Sequence, residues 1–271
     1  MEYKVITPQD KAYPQKLIGR LGDSAPENIY YNGPLDLLNR WTMAFLCADS
    51  AGGTVLNEMN QLFFTIREYE INYIGSWHSI METEIFRLAL YFKHNSLTLF
   101  SAKGLKKETF DSYLLDRFYP PLHEFPERDE YFRRAENGEL LILSVAPPDE
   151  NRQRRKNIMQ RNWISCLLSD LVFIPYAPKG SKTYTTAKRL VKADIPVFTL
   201  EHSVAKELHQ LGIPGFNRKT VRSLIEQAGA KKYGGEKIQE VDASLEVTPY
   251  KPPEKRIIQD EIKFVKENEE E

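Results

Sequence analysis

Cysteine is scarce: Cys47 and Cys166 are the only two among 271 residues. Two thiols exclude a disulfide-stapled scaffold and a cysteine-rich zinc site, and a reducing cytoplasmic compartment is the expectation. Long apolar runs are also missing. No stretch of about 18 apolar residues occurs, so no membrane span is expected. Met1-Glu2-Tyr3-Lys4 does not open a basic region followed by an apolar one, so no secretory signal is expected. The short signatures of common chemistries are absent: no G-x-x-x-x-G-K-[ST], G-x-G-x-x-G, G-x-S-x-G or H-E-x-x-H occurs. The five histidines, His78, His94, His123, His202 and His209, show no ligand spacing. No metal, no cofactor and no catalytic residue is therefore assigned.

What is present suits a globular chain, with 41% hydrophobic and 28% charged residues. The net charge of −1 is unevenly spread. Residues 236–271 hold 11 acidic and 6 basic residues, a net −5, so the remaining 235 carry +4. A near-neutral total thus leaves room for a basic site on the folded part. Gly234-Gly235, Pro249, Pro252-Pro253 and Glu269-Glu270-Glu271 mark 231–271 as an acidic, flexible tail, with weak helical periodicity over 257–265. Residues 1–40 read as a short segment of helix and turns, with Asn32-Gly33-Pro34 as a turn signal.

Between 41 and 230 the pattern alternates. Strands are expected over 42–47, 71–74, 97–100, 140–144, 171–175 and 196–200, all short apolar runs. Helical spacing joins Val55, Met59, Leu62, Phe63 and Ile66, and then Ile85, Leu88, Ala89 and Phe92. Further helices are expected over 152–167 and about 182–193. Strand, small-residue loop, helix, strand is the βαβ rhythm. It predicts an α/β, Rossmann-like, doubly wound and mostly parallel sheet.

In such a sheet ligands gather beyond the C-terminal strand ends. Loop 48–53, with Ser50, Gly52 and Gly53, lets a backbone approach a ligand, and it leads into a helix N-terminus. Loop 179–183 does the same and adds two ammonium groups: Lys179, Ser181, Lys182 and Thr183 are candidate phosphate-binding residues. Arg152, Arg154, Arg155, Lys156 and Arg161 form the most specific charge feature, with no acid from 152 through 169. A one-signed cluster of this kind is the footprint of phosphate-backbone binding, with a solvated helix face as its bland counterpart. Asn162 and Trp163 adjoin it, and Trp163 reads either as a base-stacking ring or as packing. Glu82, opening a helix, reads as a dipole partner or a base.

Four motifs in order resemble the DprA/Smf family of DNA-processing proteins, which are built on a Rossmann-like domain of the SLOG type. The first runs Tyr13-Pro14-Gln15-Lys16-Leu17, Leu21, Asp23, Pro26, then Ile29 through Leu35 and Leu37-Leu38. The second is Arg161 through Asp170, close to RNRIIAGLS, and the third Ser181 through Ala187, in the place of SGSLITA. The fourth comprises Pro196-Val197-Phe198, Gly215, Asn217, Leu224-Ile225 and Gly229-Ala230. There are departures. The arginine of the family's GSR is missing at Cys47-Ala48-Asp49, Trp163 replaces the second arginine of RNR, and Lys182 replaces the glycine of SGS. The resemblance implies a divergent, non-enzymatic member that binds single-stranded DNA, with roles in DNA uptake, recombination or natural transformation, and with a second copy and a RecA-like recombinase as partners. Its alternative implication is a nucleotide sensor of the SLOG type in a bacterial defence or conflict system. A nucleotide N-glycosidase is the least supported, because no suitably placed Glu accompanies Pro178 to Thr183.

Overall fold

A computed structural model describes residues 3–92, 94–115 and 127–234. Residues 235–271 of the expected tail, including the helical turns considered over 257–265, lie outside the described residues. The described strands form one sheet in the order β1-β2-β6-β5-β4-β3-β7-β8-β9. Its parallel centre comprises β3 (Thr42–Phe45), β4 (Asn72–Gly75), β5 (Ser96–Ser101), β6 (Leu140–Ser144), β7 (Leu171–Phe173) and β8 (Val197–Leu200). All residues of β3, β4, β5, β6 and β7 are buried, which is why these segments read as apolar runs rather than as alternations. The short β9 (Gly215–Phe216) adds on beside β8.

The N-terminal segment carries the expected helix, α1 (Gln15–Leu21), and also supplies two strands. β1 (Lys4–Ile6) and β2 (Ile29–Asn32) extend the sheet antiparallel beyond β6. The segment is pinned elsewhere as well. Lys16 Nζ lies 2.7 Å from Asp170, whose carboxylate also accepts the Thr42 N–H. Arg20 donates to the carbonyls of Leu167 and Ser169 at 2.7 and 2.8 Å.

From β3 the chain moves one way through α2 (Gly53–Thr65), β4, α3 (Ile80–Tyr91), β5, α4 (Phe110–Leu115), α5 (Arg128–Glu136) and β6. It then crosses back under the sheet as α6 (Arg155–Leu168), enters β7, and continues the other way through α7 (Lys182–Lys192) to β8. Crossovers of the usual right hand would put α2, α3 and α5 on one face and α6 and α7 on the other. α2 packs on α3, and α6 on α7, β3, β4 and β5. Helix α7 buries Thr183, Thr186, Ala187 and Leu190, a single stripe. The second half of α6, from Arg161 to Leu168, is buried all round because α1 covers the side away from the sheet. That helix begins at Arg155 rather than 152, since Arg154 is extended with ψ 146°. The chain ends its described part with α8 (Lys206–His209), α9 (Val221–Gln227) and residues 231–234. The last of these strap across α2's exit: Glu70 N–H donates to Lys231 and Tyr233 N–H to Glu68. Among the described residues no helix is long and apolar enough to cross a membrane.

Candidate phosphate-binding crevice

The topological switch point falls between β3 and β7, adjacent strands whose onward connections diverge. The two strands continue to pair beyond their ends, with Leu46 N–H on Phe173 O and Ala48 N–H on Tyr176 O. In a sheet of this topology the candidate crevice lies between the loop after β3 and the loop after β7. Ser50, Gly52 and Gly53 stand exposed on the first. Gly52 precedes α2 with no side-chain cap, and a Cβ at Gly52 or Gly53 would meet open space. The first N–H groups of α2 therefore have no capping side chain.

On the second loop Lys179 and Lys182 are exposed. Ser181 is the N-cap of α7, its hydroxyl accepting the Tyr184 N–H at 3.0 Å, and Thr183 is buried. The N-terminus of α6 reaches the same edge of the sheet, because it leaves the C-terminal end of β6. Arg152, Arg154, Arg155 and Lys156 are all exposed there. Arg154 pairs with Glu150 at 2.9 Å, and Glu150 also accepts the Arg152 N–H. No ion pair among the described residues engages Arg155, Lys156, Lys179 or Lys182. Helix α6 has no acid in its first turn and no side-chain cap. Cations at a helix N-terminus oppose the helix dipole by about 0.3–1 kcal/mol each at exposed positions. A bound anion would relieve that opposition at both α6 and α7.

Arg161 and Asn162 lie deeper. Arg161 is 3% exposed, and its Nε and Nη2 donate to Asn162 Oδ1 at 3.0 and 2.9 Å. Arg161 also acts electrostatically on Glu82, which sequence reasoning left undecided. Glu82 joins both crevice loops of the α2–α3 side. Its carboxylate accepts the Cys47 N–H at 3.2 Å, the Ser76 hydroxyl at 2.7 Å and the His78 N–H at 3.0 Å, while its own N–H donates to the Ser79 hydroxyl. Ser79-Ile80-Met81-Glu82 has the S-x-x-E spacing of a capping box, a signal present in the sequence; Ser79 makes its half, while the Glu82 carboxylate turns to His78 N–H instead. Burial pushes the Glu82 pKa up; the three donors and Arg161 counter that rise. Burial likewise pushes the thiols up, Cys47 well above its usual range and Cys166 to about 12, so both are protonated packing groups rather than nucleophiles.

Trp163 is packed rather than presented to the crevice. It is 8% exposed, the Arg189 guanidinium lies 3.7 Å over its ring, and its buried Nε1 has no hydrogen-bond partner among the described residues. The base-stacking alternative for this ring is thus set aside by the face that α6 turns to α7.

The loop after β5 closes on the loop after β6. Gly104 N–H donates to Glu150 O at 2.8 Å, and a Cβ at Gly104 would stand 2.0 Å from Pro147 O and 2.3 Å from Pro148 O. Gly104→Ala must push backbone apart, so a loss of roughly 1–3 kcal/mol is expected by chemical denaturation. A neutral result would show that these loops are free to separate.

No family model matches the chain, and no curated protein matches it. Solved structures do. DNA processing protein A from Streptococcus pneumoniae aligns with a TM-score of 0.64 at 19% identity, covering 82% of this chain and 74% of that one. DNA processing protein A from Helicobacter pylori, whose structure is described in terms of its single-stranded DNA binding mode, aligns at 0.62 with 20% identity, covering 84% of this chain and 97% of that one. The chain therefore has the mixed, mostly parallel Rossmann-like fold seen in DNA processing protein A.

Proposed function

We propose that the protein is a non-enzymatic binder of single-stranded DNA, holding the phosphodiester backbone in the crevice at the β3/β7 switch point. The observation that carries this reading is the set Arg155, Lys156, Lys179 and Lys182, unpaired among the described residues and placed at the N-terminal ends of α6 and α7 where their own helices repel them. Exposed Ser50, Gly52 and Gly53 let a strand approach the uncapped N–H groups of α2. Arg161 adds a buried positive charge beneath, oriented by Asn162. The Helicobacter pylori neighbour, described as binding single-stranded DNA, supports the same ligand class. Participation in recombination, with a second copy or a RecA-like recombinase as partner, extends this proposal and depends on it.

The test is fluorescence anisotropy with labelled oligo-dT across a salt series. With four to five phosphates neutralised, the plot of log K against log salt should slope by about −3 for a single strand. Arg155→Gln/Lys156→Gln and Lys182→Ala should each weaken binding about tenfold at low salt without moving the melting temperature, since these side chains are exposed. Arg161→Ala should remove the larger share. Absence of binding at low salt would reject the reading, and a saturable rise in melting temperature with a mononucleotide would then favour a sensor.

A further inference from the structure

Helix α7 carries more positive charge than the crevice needs. Its eleven residues, Lys182 to Lys192, include no acid. Its exposed positions are Lys182, Thr185, Lys188, Arg189, Val191 and Lys192, so four of six are cationic and the other two are uncharged. A solvated helix face ordinarily mixes signs, with acids three or four residues from the bases. None is available here, and Asp194, two residues past the helix, is the nearest acid in sequence. Among the described residues no ion pair engages Lys182, Lys188, Arg189 or Lys192. The cations recur along one side of the helix over ten residues, about 15 Å from Lys182 to Lys192. Arg189 is held in place: its guanidinium carbon sits over the buried Trp163 ring, 3.7 Å from the centroid, and no hydrogen bond or ion pair among the described residues engages its N–H edges. A guanidinium ordered by stacking, with donors left at its rim, is suited to a phosphate. Lys156 lies two turns before Trp163 on the same strip of α6, which places a further cation toward this side.

We infer that α7 is a second contact surface for the DNA backbone, a track that carries a single strand away from the crevice at Lys182 along the helix to Lys192. This rests on the reading of the crevice as a single-strand site. Charge complementarity selects the occupant. The track offers point charges and a stacked guanidinium with a threonine between them, and its one exposed apolar side chain, Val191, is too little for a protein interface core. The strand therefore binds in two parts, a short segment in the crevice and a flanking segment on α7.

The experiment compares two lengths of strand. Labelled dT6 and dT20 are titrated against the full chain and against Lys188→Gln/Lys192→Gln, which leaves the crevice residues untouched. The parent should bind dT20 more tightly than dT6. The variant should lose about tenfold for dT20, with the salt slope less steep by about 1.4 for two phosphates released, and stay within twofold of the parent for dT6. Arg67→Gln/Lys231→Gln, which removes two exposed cations on the α2 side, should leave dT20 binding unchanged. Thermal melting of all variants checks that the fold is intact, as expected for exposed side chains. Equal loss on dT6 and dT20 would overturn the track by making Lys188 and Lys192 part of the crevice. An unmoved dT20 affinity in a chain that binds dT20 would overturn it outright and leave the basic face to an acidic protein partner. Failure of the parent to bind either strand would instead reject the crevice reading, and the track with it.

Discussion

Glu82→Ala should lower the stability of the described domain by about 2–4 kcal/mol, a drop of roughly 4–16 °C in melting temperature for a domain of this size. The carboxylate is fully buried and accepts from Cys47 N–H, Ser76 Oγ–H and His78 N–H. Alanine leaves these donors buried without acceptors, at about 1–3 kcal/mol each, partly offset because a buried carboxylate is itself costly. Its pH dependence has a definite sign. Burial raises the folded-state pKa above 4.5. A raised carboxyl pKa means that the folded state holds its proton more tightly than the unfolded state does. The stability contributed by that protonation is full below about pH 4.5 and is lost as pH rises through the folded-state value. The deficit of Glu82→Ala relative to the parent should therefore be larger at about pH 4.5 than at pH 8, measured by chemical denaturation at each pH. A gap that widens with pH would mean that the site favours the carboxylate. Strand binding should weaken as well, because Glu82 ties the loop after β3 to the loop after β4.

Arg134→Met should cost still more, about 3–5 kcal/mol, or roughly 6–20 °C. Arg134 is 1% exposed. Its guanidinium donates to the carbonyls of Ala89 and Leu90, to that of Asn95, and at 3.0 Å to Glu139. It thus caps the C-terminal turn of α3 from α5, where a cation also meets the favourable end of the helix dipole. Methionine fills much of the volume but supplies no donor to three buried carbonyls. Arg134→Lys should fall between the two, because one ammonium cannot span the fork of acceptors. The measurement is thermal unfolding with hydrogen exchange of α3 and α5. A loss under about 1 kcal/mol, with unchanged protection at the end of α3, would show that water replaces the guanidinium there.

The legible part of the molecule was its rhythm. Short apolar runs at 42–47, 97–100, 140–144 and 171–175 announced fully covered strands, because a parallel sheet buries both faces of each strand. A helix was expected over about 182–193, where α7 stands, and the acid-free run from 152 to 169 announced a basic helix start. The candidate cations at 155, 156, 179 and 182 could be named from composition and spacing alone, since exposed charge is a local property.

Pairing and burial are not local, and the tertiary structure decided them. β1 and β2 lie in the segment 1–40, whose turn signals mark it as helix and turns rather than strand. They form because β6 offers a free edge to Tyr30, Tyr31 and Asn32. Trp163 could face a ligand or the core until α7 laid Arg189 over it. Glu82 carried a capping-box signal with Ser79, yet only the convergence of the β3 and β4 ends brings Cys47 N–H and Ser76 Oγ–H to the same carboxylate. Hydrophobic period and charge placement are written residue by residue along the chain. Which strand finds an edge, and which side chain loses its water, depends on segments more than 20 residues away, and packing alone brings them together.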